Sequence, residues 1–355
     1  MPAAPSLTFR KTAFRDAKQL VGGAAGIDRR AGWLSAFPTR DTSRPDRRFP
    51  RTIELRGGNS AQVGDLYHWK NEGTALAVDE RRGSEITKGC IIERPKVIHN
   101  ARTKTFVMWF HLEHRGAGYG TARCAVATSR SITGPYRFIE SHRPNHGEWP
   151  QNYARRKTDD RWIDYLKRDR RRGQMSRDMT VFVDDDQKAY LISSAEENYT
   201  LNISLLTDDY LDFTGKFWRI FPGGHNEAPA ICKHDGRYWL ITSGCTGWDP
   251  NEARSFVADS MEGPWKALGN PCTGPNGAGG MGPEKTWGGQ STFILPIHGK
   301  PGQFIAMFDV WRPKDPIDGR YLWLPVDFED ERIKIVRPKT WTLGDLDLLS
   351  EAGSD

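Results

Sequence analysis

Cysteine is scarce in this chain: five residues in 355, at Cys90, Cys124, Cys232, Cys245 and Cys272, widely spaced and odd in number. No Cys-x-x-Cys pair and no histidine-rich spacing accompanies them, so no metal motif is legible, and at least one thiol is free in a monomer. One disulfide pair stays open. Long apolar runs are missing too. No segment approaches the roughly 20 consecutive apolar residues of a membrane span. A mean hydropathy of −0.65 with 27% charged residues reads as a soluble chain with no membrane partner. The residues from Met1 to Arg10 lack the apolar core of a secretory leader. The expectation is a chain not exported by that route, or one whose natural precursor starts elsewhere, and the compartment stays open.

Acidic excess is also absent. The formal charge is +6 and the isoelectric point about 9.0, a balance that suits polyanions. The basic residues concentrate in an insertion at about 149–173, where Arg155-Arg156-Lys157 and Lys167-Arg168-Asp169-Arg170-Arg171-Arg172 flank Trp162 and Tyr165. Asp159, Asp160, Asp164 and Asp169 interrupt the pattern. It reads as a solvated insertion with a helical turn, not as a nucleic-acid surface, and an acidic polysaccharide is the milder partner for the same charges. The 13 tryptophans are many for so hydrophilic a chain. Most are expected between packed sheets, and a few are candidates for sugar platforms.

What the sequence does contain is a repeated grammar. Asn226-Glu227-Ala228-Pro229-Ala230-Ile231 leads into an apolar strand, Asp235-Gly236 makes a tight turn, and Tyr238-Trp239-Leu240-Ile241 returns. Glu93 opens a similar unit with a turn at Arg102-Thr103-Lys104. Asp178 opens another with a turn from Asp185 to Lys188, and Gln290 a third with a turn around Gly299 to Gly302. A weaker copy starts near Arg56 and Gly57. Each turn follows its opening polar residue by about eight to ten residues, a strand plus its turn. Gly134-Pro135-Tyr136, Phe213-Thr214-Gly215 and Gly263-Pro264-Trp265 look like the turns to outer strands.

Repeated four-stranded meanders make a β-propeller, so the predicted fold is all-β with five blades, at about 51–90, 91–145, 174–220, 221–272 and 285–340. Residues 1–50 form a partly irregular arm, 51–345 the propeller domain and 346–355 a tail, with a closing strand within 341–349. The glycine-rich run at 274–283 is a loop, because no strand and helix bracket it as a phosphate cradle requires.

The first strands of the blades would gather Glu93, Asp178, Glu227 and Gln290 at one mouth of the channel. Glycosidic hydrolysis by inversion needs a proton donor and a second group, about 6.5–9.5 Å away, to handle water. One such polar residue would merely satisfy buried backbone groups, whereas three carboxyl groups in register point to function. An amide is a poor base, so on chemistry alone Glu93 competes with Gln290 for the water.

Several strings resemble glycoside hydrolase family 43, most closely its exo-β-1,3-galactanase branch: Glu93-Arg94-Pro95-Lys96, Ser176-Arg177-Asp178-Met179, Asn226-Glu227-Ala228-Pro229, Thr242 through Asn251, and Gly289-Gln290-Ser291-Thr292. The resemblance spans roughly 50–345. It implies an inverting exo-acting hydrolase releasing galactose from β-1,3-galactan, the backbone of type II arabinogalactan. Glu227 would be the general acid, Asp178 the aspartate that raises its pKa, and Gln290 the residue that holds the water, through its imidic tautomer. Glu93 would support the site and bind sugar, with Glu72, Tyr119, Asn198, Thr246 and Trp248 as further sugar contacts and Trp248 as the stacking platform. No cofactor is implied beyond the structural calcium that family members can hold.

Blade one departs from that pattern. Relatives carry Ala-His-Gly-Gly and Tyr-Tyr-Trp-Tyr-Gly-Glu, where this chain has Leu55-Arg56-Gly57-Gly58 and Tyr67-His68-Trp69-Lys70-Asn71-Glu72. Arg56 would pair with Glu93 and lower its pKa, or obstruct the terminal sugar. Competing readings are an arabinofuranosidase or galactofuranosidase of the same family, since loops set the sugar, and a carbohydrate-binding propeller without turnover.

Overall fold

The computed structural model describes residues 31–33, 52–57, 70–153, 162–277, 279–297, 299–313 and 319–346. Most of the expected N-terminal arm and the expected tail beyond residue 346 lie outside them. The chain divides into two compact units, Ala17–Glu227 and Ala228–Asp355.

The first unit holds two blade-like meanders. In one, β4 (Ile91–Asn100), β5 (Thr105–Glu113), β6 (Arg123–Ser129) and β7 (Arg137–His142) follow one another across the sheet, and β1 (Ala31–Trp33) adds a fifth strand beside β4. In the other, β8 (Met179–Val183), β9 (Ala189–Ala195), β10 (Thr200–Leu206) and β11 (Phe213–Ile220) repeat the order. Side chains alternate between two faces that are both buried in the central strands: Met108, Phe110 and Leu112 of β5 pack on one side and Val107 and Trp109 on the other. Trp109, Val107 and Val126 of the first sheet meet Met179, Val181 and Leu191 of the second in one apolar cluster. Each such large side chain contributes about 1.5–3 kcal/mol by leaving water.

The second unit holds β13 (Arg237–Gly244), β14 (Ala253–Ala258) and β15 (Lys266–Gly269), led by β12 (Asn226–His234), whose first two residues belong to the first unit. Its other sheet runs β17 (Gln290–Pro296), β18 (Phe304–Val310), β19 (Arg320–Glu329) and β20 (Arg332–Val336), with the short β16 (Cys272–Thr273) parallel to β20. Between β12 and β13, Asp235 at φ 49° and Gly236 at φ 74° make the two-residue turn, both residues left-handed in conformation, whose twist matches the right-handed twist of the strands it joins.

Two expectations are corrected. Among the described residues there are four multi-stranded blades, not five: the segment at 51–90 contributes only the ribbon of β2 (Thr52–Gly57) and β3 (Lys70–Ala77). Its outer half, Asp79 to Lys88, is charged and folds as a local turn in which Arg81 is clasped by Asp79 and Glu80 accepts from Lys88 N and Thr87 Oγ1. Side-chain oxygens there outcompete a strand ladder. The closing strand expected within 341–349 is instead a turn over its described part. Asp345 accepts from the backbone N–H and hydroxyl of Thr342, an Asx-type cap that curls the chain.

The insertion supplies the single described α-helix, α1 (Ile163–Arg170); residues 154–161 lie outside the described set. Its arginines are engaged internally: Arg168 binds Asp169 and Glu197, and the Arg170 guanidinium lies over Trp149. The Trp162 indole stacks on Tyr199 at 4.3 Å and occupies the space where any side chain at Gly223 would stand.

What positions the functional residues is a break in the first strand of a blade. In β4, Glu93 pairs with His111 but Lys96 with Trp109, so Arg94 and Pro95 oppose a single residue of β5. Arg94 takes φ 52°, although a residue before proline normally stays extended. Ala228, between Glu227 and Pro229, repeats this at φ 53°. In β17 the register shifts between Ser291 and Phe293, next to Gln290. Bulges re-aim side chains, and strained left-handed residues of this kind cluster at functional sites.

Candidate active site

In the first unit, Asp178 sits immediately before β8. Arg94 grips it, donating from Nε to Oδ1 at 3.1 Å and from Nη2 to Oδ2 at 3.3 Å. The left-handed turn Glu196-Glu197-Asn198 (φ 52°, 58° and 66°) brings Asn198 to Glu227, where Nδ2 donates to Oε2 at 3.3 Å. Arg177 fastens this turn by donating to Asn198 Oδ1, to Glu197 and to the carbonyl of Tyr119. Behind it, Glu196 and Arg219 form a buried bidentate pair at 2.6 and 2.7 Å, with the Thr200 hydroxyl on the same carboxylate.

Glu93 accepts from the Tyr119 hydroxyl at 2.6 Å and faces His111 Nδ1 at 3.2 Å, and His111 Nε2 reaches Glu113 Oε1 at 2.9 Å. Burial alone would depress the His111 pKa, but its bonds to Glu113 and Glu93 outweigh that and lift it to about 9. Burial would raise the Glu113 carboxyl, yet His111 and Thr121 hold it below the ordinary value. Burial and the neighbouring Glu93 charge raise the Tyr119 phenol.

In the second unit, Gln290 is fixed at both ends of its amide. The Trp311 indole donates to Oε1 at 2.8 Å, and Nε2 donates to Ser243 Oγ at 3.0 Å. An indole N–H can only donate, so it decides which end of the amide is oxygen. Trp248, half exposed at 50%, stands edge to face with Trp311, ring centres 5.4 Å apart. Thr246 is drawn into its own turn, donating to the Asp249 carbonyl and accepting from Asn251.

The sequence-predicted residues thus fall into two groups. Asp178, Glu93, Tyr119, Asn198 and Glu227 lie in the first unit, linked in the pairs Tyr119–Glu93 and Asn198–Glu227. Gln290, Thr246 and Trp248 lie in the second. Glu72 and Arg56 fall on β3 and β2, and their side chains lie outside the described set. Sequence reasoning missed His111, Glu113, Arg177, Ser243 and Trp311, and took no account of Arg94 as a partner of Asp178. A signal existed for two of them: His111 and Glu113 are the only titratable side chains in β5, two apart and so on one face. Trp311 follows β18 in irregular chain, where no periodicity marks it. Among the described residues no group of three or more histidine, cysteine, aspartate or glutamate side chains is arranged to hold a metal ion.

Blade-like β-meanders with carboxylates held at or near the starts of their first strands are compatible with a glycoside hydrolase, and the comparisons with known proteins show that class. The family profile of glycosyl hydrolases family 43 matches residues 153–276. A solved GH43 β-1,3-galactosidase in complex with galactodeoxynojirimycin is 47% identical, with 96% of this chain and 100% of that chain covered and a TM-score of 0.80. The exo-β-1,3-galactanase of Phanerochaete chrysosporium with β-1,3-galactotriose is 29% identical over 96% of this chain and 67% of that one, TM-score 0.70. An exo-β-1,3-galactanase from Clostridium thermocellum is 29% identical over 94% and 65%, TM-score 0.70. No curated protein sequence matches the chain. The chain belongs to glycoside hydrolase family 43.

Proposed function

We propose that the protein is an inverting, exo-acting hydrolase that releases galactose from β-1,3-linked galactan. The observation that carries this reading is the full-length likeness, at 47% identity, to a β-1,3-galactosidase bound to a galactose-like inhibitor. The chemistry of the individual side chains supports it. Glu227 donates its proton to the glycosidic oxygen as the bond to the anomeric carbon breaks, and Asn198 holds the carboxyl in place. Arg94 grips Asp178, which in this reading is the aspartate that tunes the acid. A water molecule, oriented by the Gln290 amide, attacks the anomeric carbon from the opposite face. The proton that water loses passes through Gln290 to solvent, and solvent reprotonates Glu227, so the cycle closes. Glu93 and Tyr119 accept and donate to hydroxyls of the terminal sugar, and the exposed face of Trp248 stacks on its apolar side.

The test is incubation of the purified chain with linear β-1,3-galactan, with proton NMR following galactose release from the first minutes. Initial appearance of the α-anomer supports the proposal. Initial β-galactose would refute inversion, and sugar binding without release would make the protein a carbohydrate-binding module. Release of arabinose or galactofuranose from other glycans instead would move the substrate within the family.

A further inference from the structure

Two buried polar residues of β5 take no part in the steps above. His111 is 1% exposed and Glu113 0%, among the apolar core residues Trp109, Phe110 and Leu112. Hiding an imidazole and a carboxylate is costly unless each is paired and hydrogen-bonded. Here every contact is filled. Glu113 Oε2 accepts from the Thr121 and Ala122 backbone N–H groups and from the Thr121 hydroxyl, and Oε1 faces His111. The pairing of β4 with β5 sets Glu93 opposite His111, just before the bulge at Arg94. An ionised carboxylate can only accept, so between two ionised carboxylates the imidazole would donate from both nitrogens as an imidazolium. The row ends at the surface, where Tyr119 donates to the other Glu93 oxygen.

We propose that His111 and Glu113 are positioning residues: a buried imidazolium, anchored by Glu113, that holds the Glu93 carboxylate in one orientation so that its remaining lone pairs accept sugar hydroxyls. The proposal rests on the reading of Glu93 as a sugar-facing carboxylate. The charged and titratable groups around the ring are Glu93 from β4, Glu113 from β5 and Tyr119 from the loop that follows. Asp178, with Arg94 on it, acts on Tyr119, and Arg143, which donates to the Thr121 carbonyl, acts on Glu113. A buried ion triad with no link to the site would add little to stability over apolar residues of the same size. The link to Glu93 gives this one a purpose.

The experiment uses the full chain in two measurements. In the ¹⁵N-histidine NMR spectrum of the unsubstituted protein, with the His111 signals assigned by their loss in His111→Gln, both ring nitrogens are expected to be protonated at pH 7. A neutral ring would overturn the proposal whether or not the variant folds. In His111→Gln, galactose binding by calorimetry is expected to weaken about tenfold, and KM on β-1,3-galactobiose to rise by more than kcat falls. Unchanged galactose affinity and KM, with only a lowered Tm, would show a structural role and overturn it. If the unsubstituted protein binds galactose but hydrolyses no galactan, the proposed activity fails. The positioning role then stands or falls on the galactose affinity and the ring protonation alone.

Discussion

The Trp311 indole N–H donates to Gln290 Oε1 at 2.8 Å while Gln290 Nε2 donates to Ser243, so the amide cannot turn over without losing both bonds. Fixing the amide fixes where its atoms face water. Trp311→Phe keeps the ring against Trp248 and removes only the donor. A neutral hydrogen bond of about 1 kcal/mol corresponds to a roughly fivefold to tenfold fall in kcat, with KM nearly unchanged. Steady-state kinetics on galacto-oligosaccharides check this, and a rise in KM at constant kcat would assign Trp311 to sugar stacking alone.

Asn198 offers a handle on the acid. Its Nδ2 lies 3.3 Å from Glu227 Oε2, so Asn198→Asp sets a second carboxylate against the first. Two carboxylates so close resist joint ionisation, and the proton stays on the pair to higher pH. The alkaline limb of kcat is expected to shift upward by about one unit, read from a pH–rate profile between pH 5 and 9.

The buried Glu196–Arg219 pair behind the Glu197–Asn198 turn bears on stability. Removing one partner strands the other charge in the interior, at a cost of about 3–5 kcal/mol. Glu196→Ala is expected to lower the urea midpoint accordingly. Because the same turn carries Asn198, kcat should also fall, even in the fraction that remains folded.

Stability should also decline with alkali in a defined window. His111 titrates near 9 in the folded chain against 6.5 as its ordinary value, so the native state keeps a proton that the unfolded chain has shed. Its contribution, up to about 3 kcal/mol, is complete below the ordinary value and is lost as pH rises through the folded value. Burial raises the Cys90 and Cys124 thiols to about 11 and about 12, which adds a slope of the same sign only above their ordinary 9.0. Urea titrations from pH 6 to 10 should show the decline in the unsubstituted protein, and a flat profile below pH 9 in His111→Gln.

The hairpins were legible because their signals are local. Asp235-Gly236, the apolar runs on either side, and the polar residue opening each unit can all be read within about ten residues. The blade count was not, because it requires knowing whether the Asp79 to Lys88 segment prefers a ladder or its own side-chain oxygens, and Asp79, Arg81 and Glu80 settle that locally. The sequence marks polar residues at or beside a strand start, as Asp178, Glu227 and Gln290 stand, whereas Glu93 lies three residues into β4, at its bulge. Partners that arrive from distant chain, such as Arg94 on Asp178 or Trp311 on Gln290, depend on how strands pair and where they bulge. The helical turn in the basic insertion was legible, but its charge count gives no hint that Arg168 and Arg170 are taken up by Glu197, Asp169 and Trp149.

The left-handed residues that precede Pro95 and Pro229 work as indexing notches. Sliding β4 by one residue would turn every side chain to the opposite face. It would also carry a proline, which has no N–H, and a left-handed backbone into ladder positions that tolerate neither. β12 carries the same two features next to Glu227, a left-handed residue, Ala228, followed by Pro229. The carboxylates at 93 and 227 therefore keep their place along their strands whatever happens at the far ends. Loops such as Asp185 to Lys188 or Gly299 to Gly302 can lengthen, shorten or be exchanged without realigning the chemistry, which leaves sugar preference free to drift on an alignment that does not.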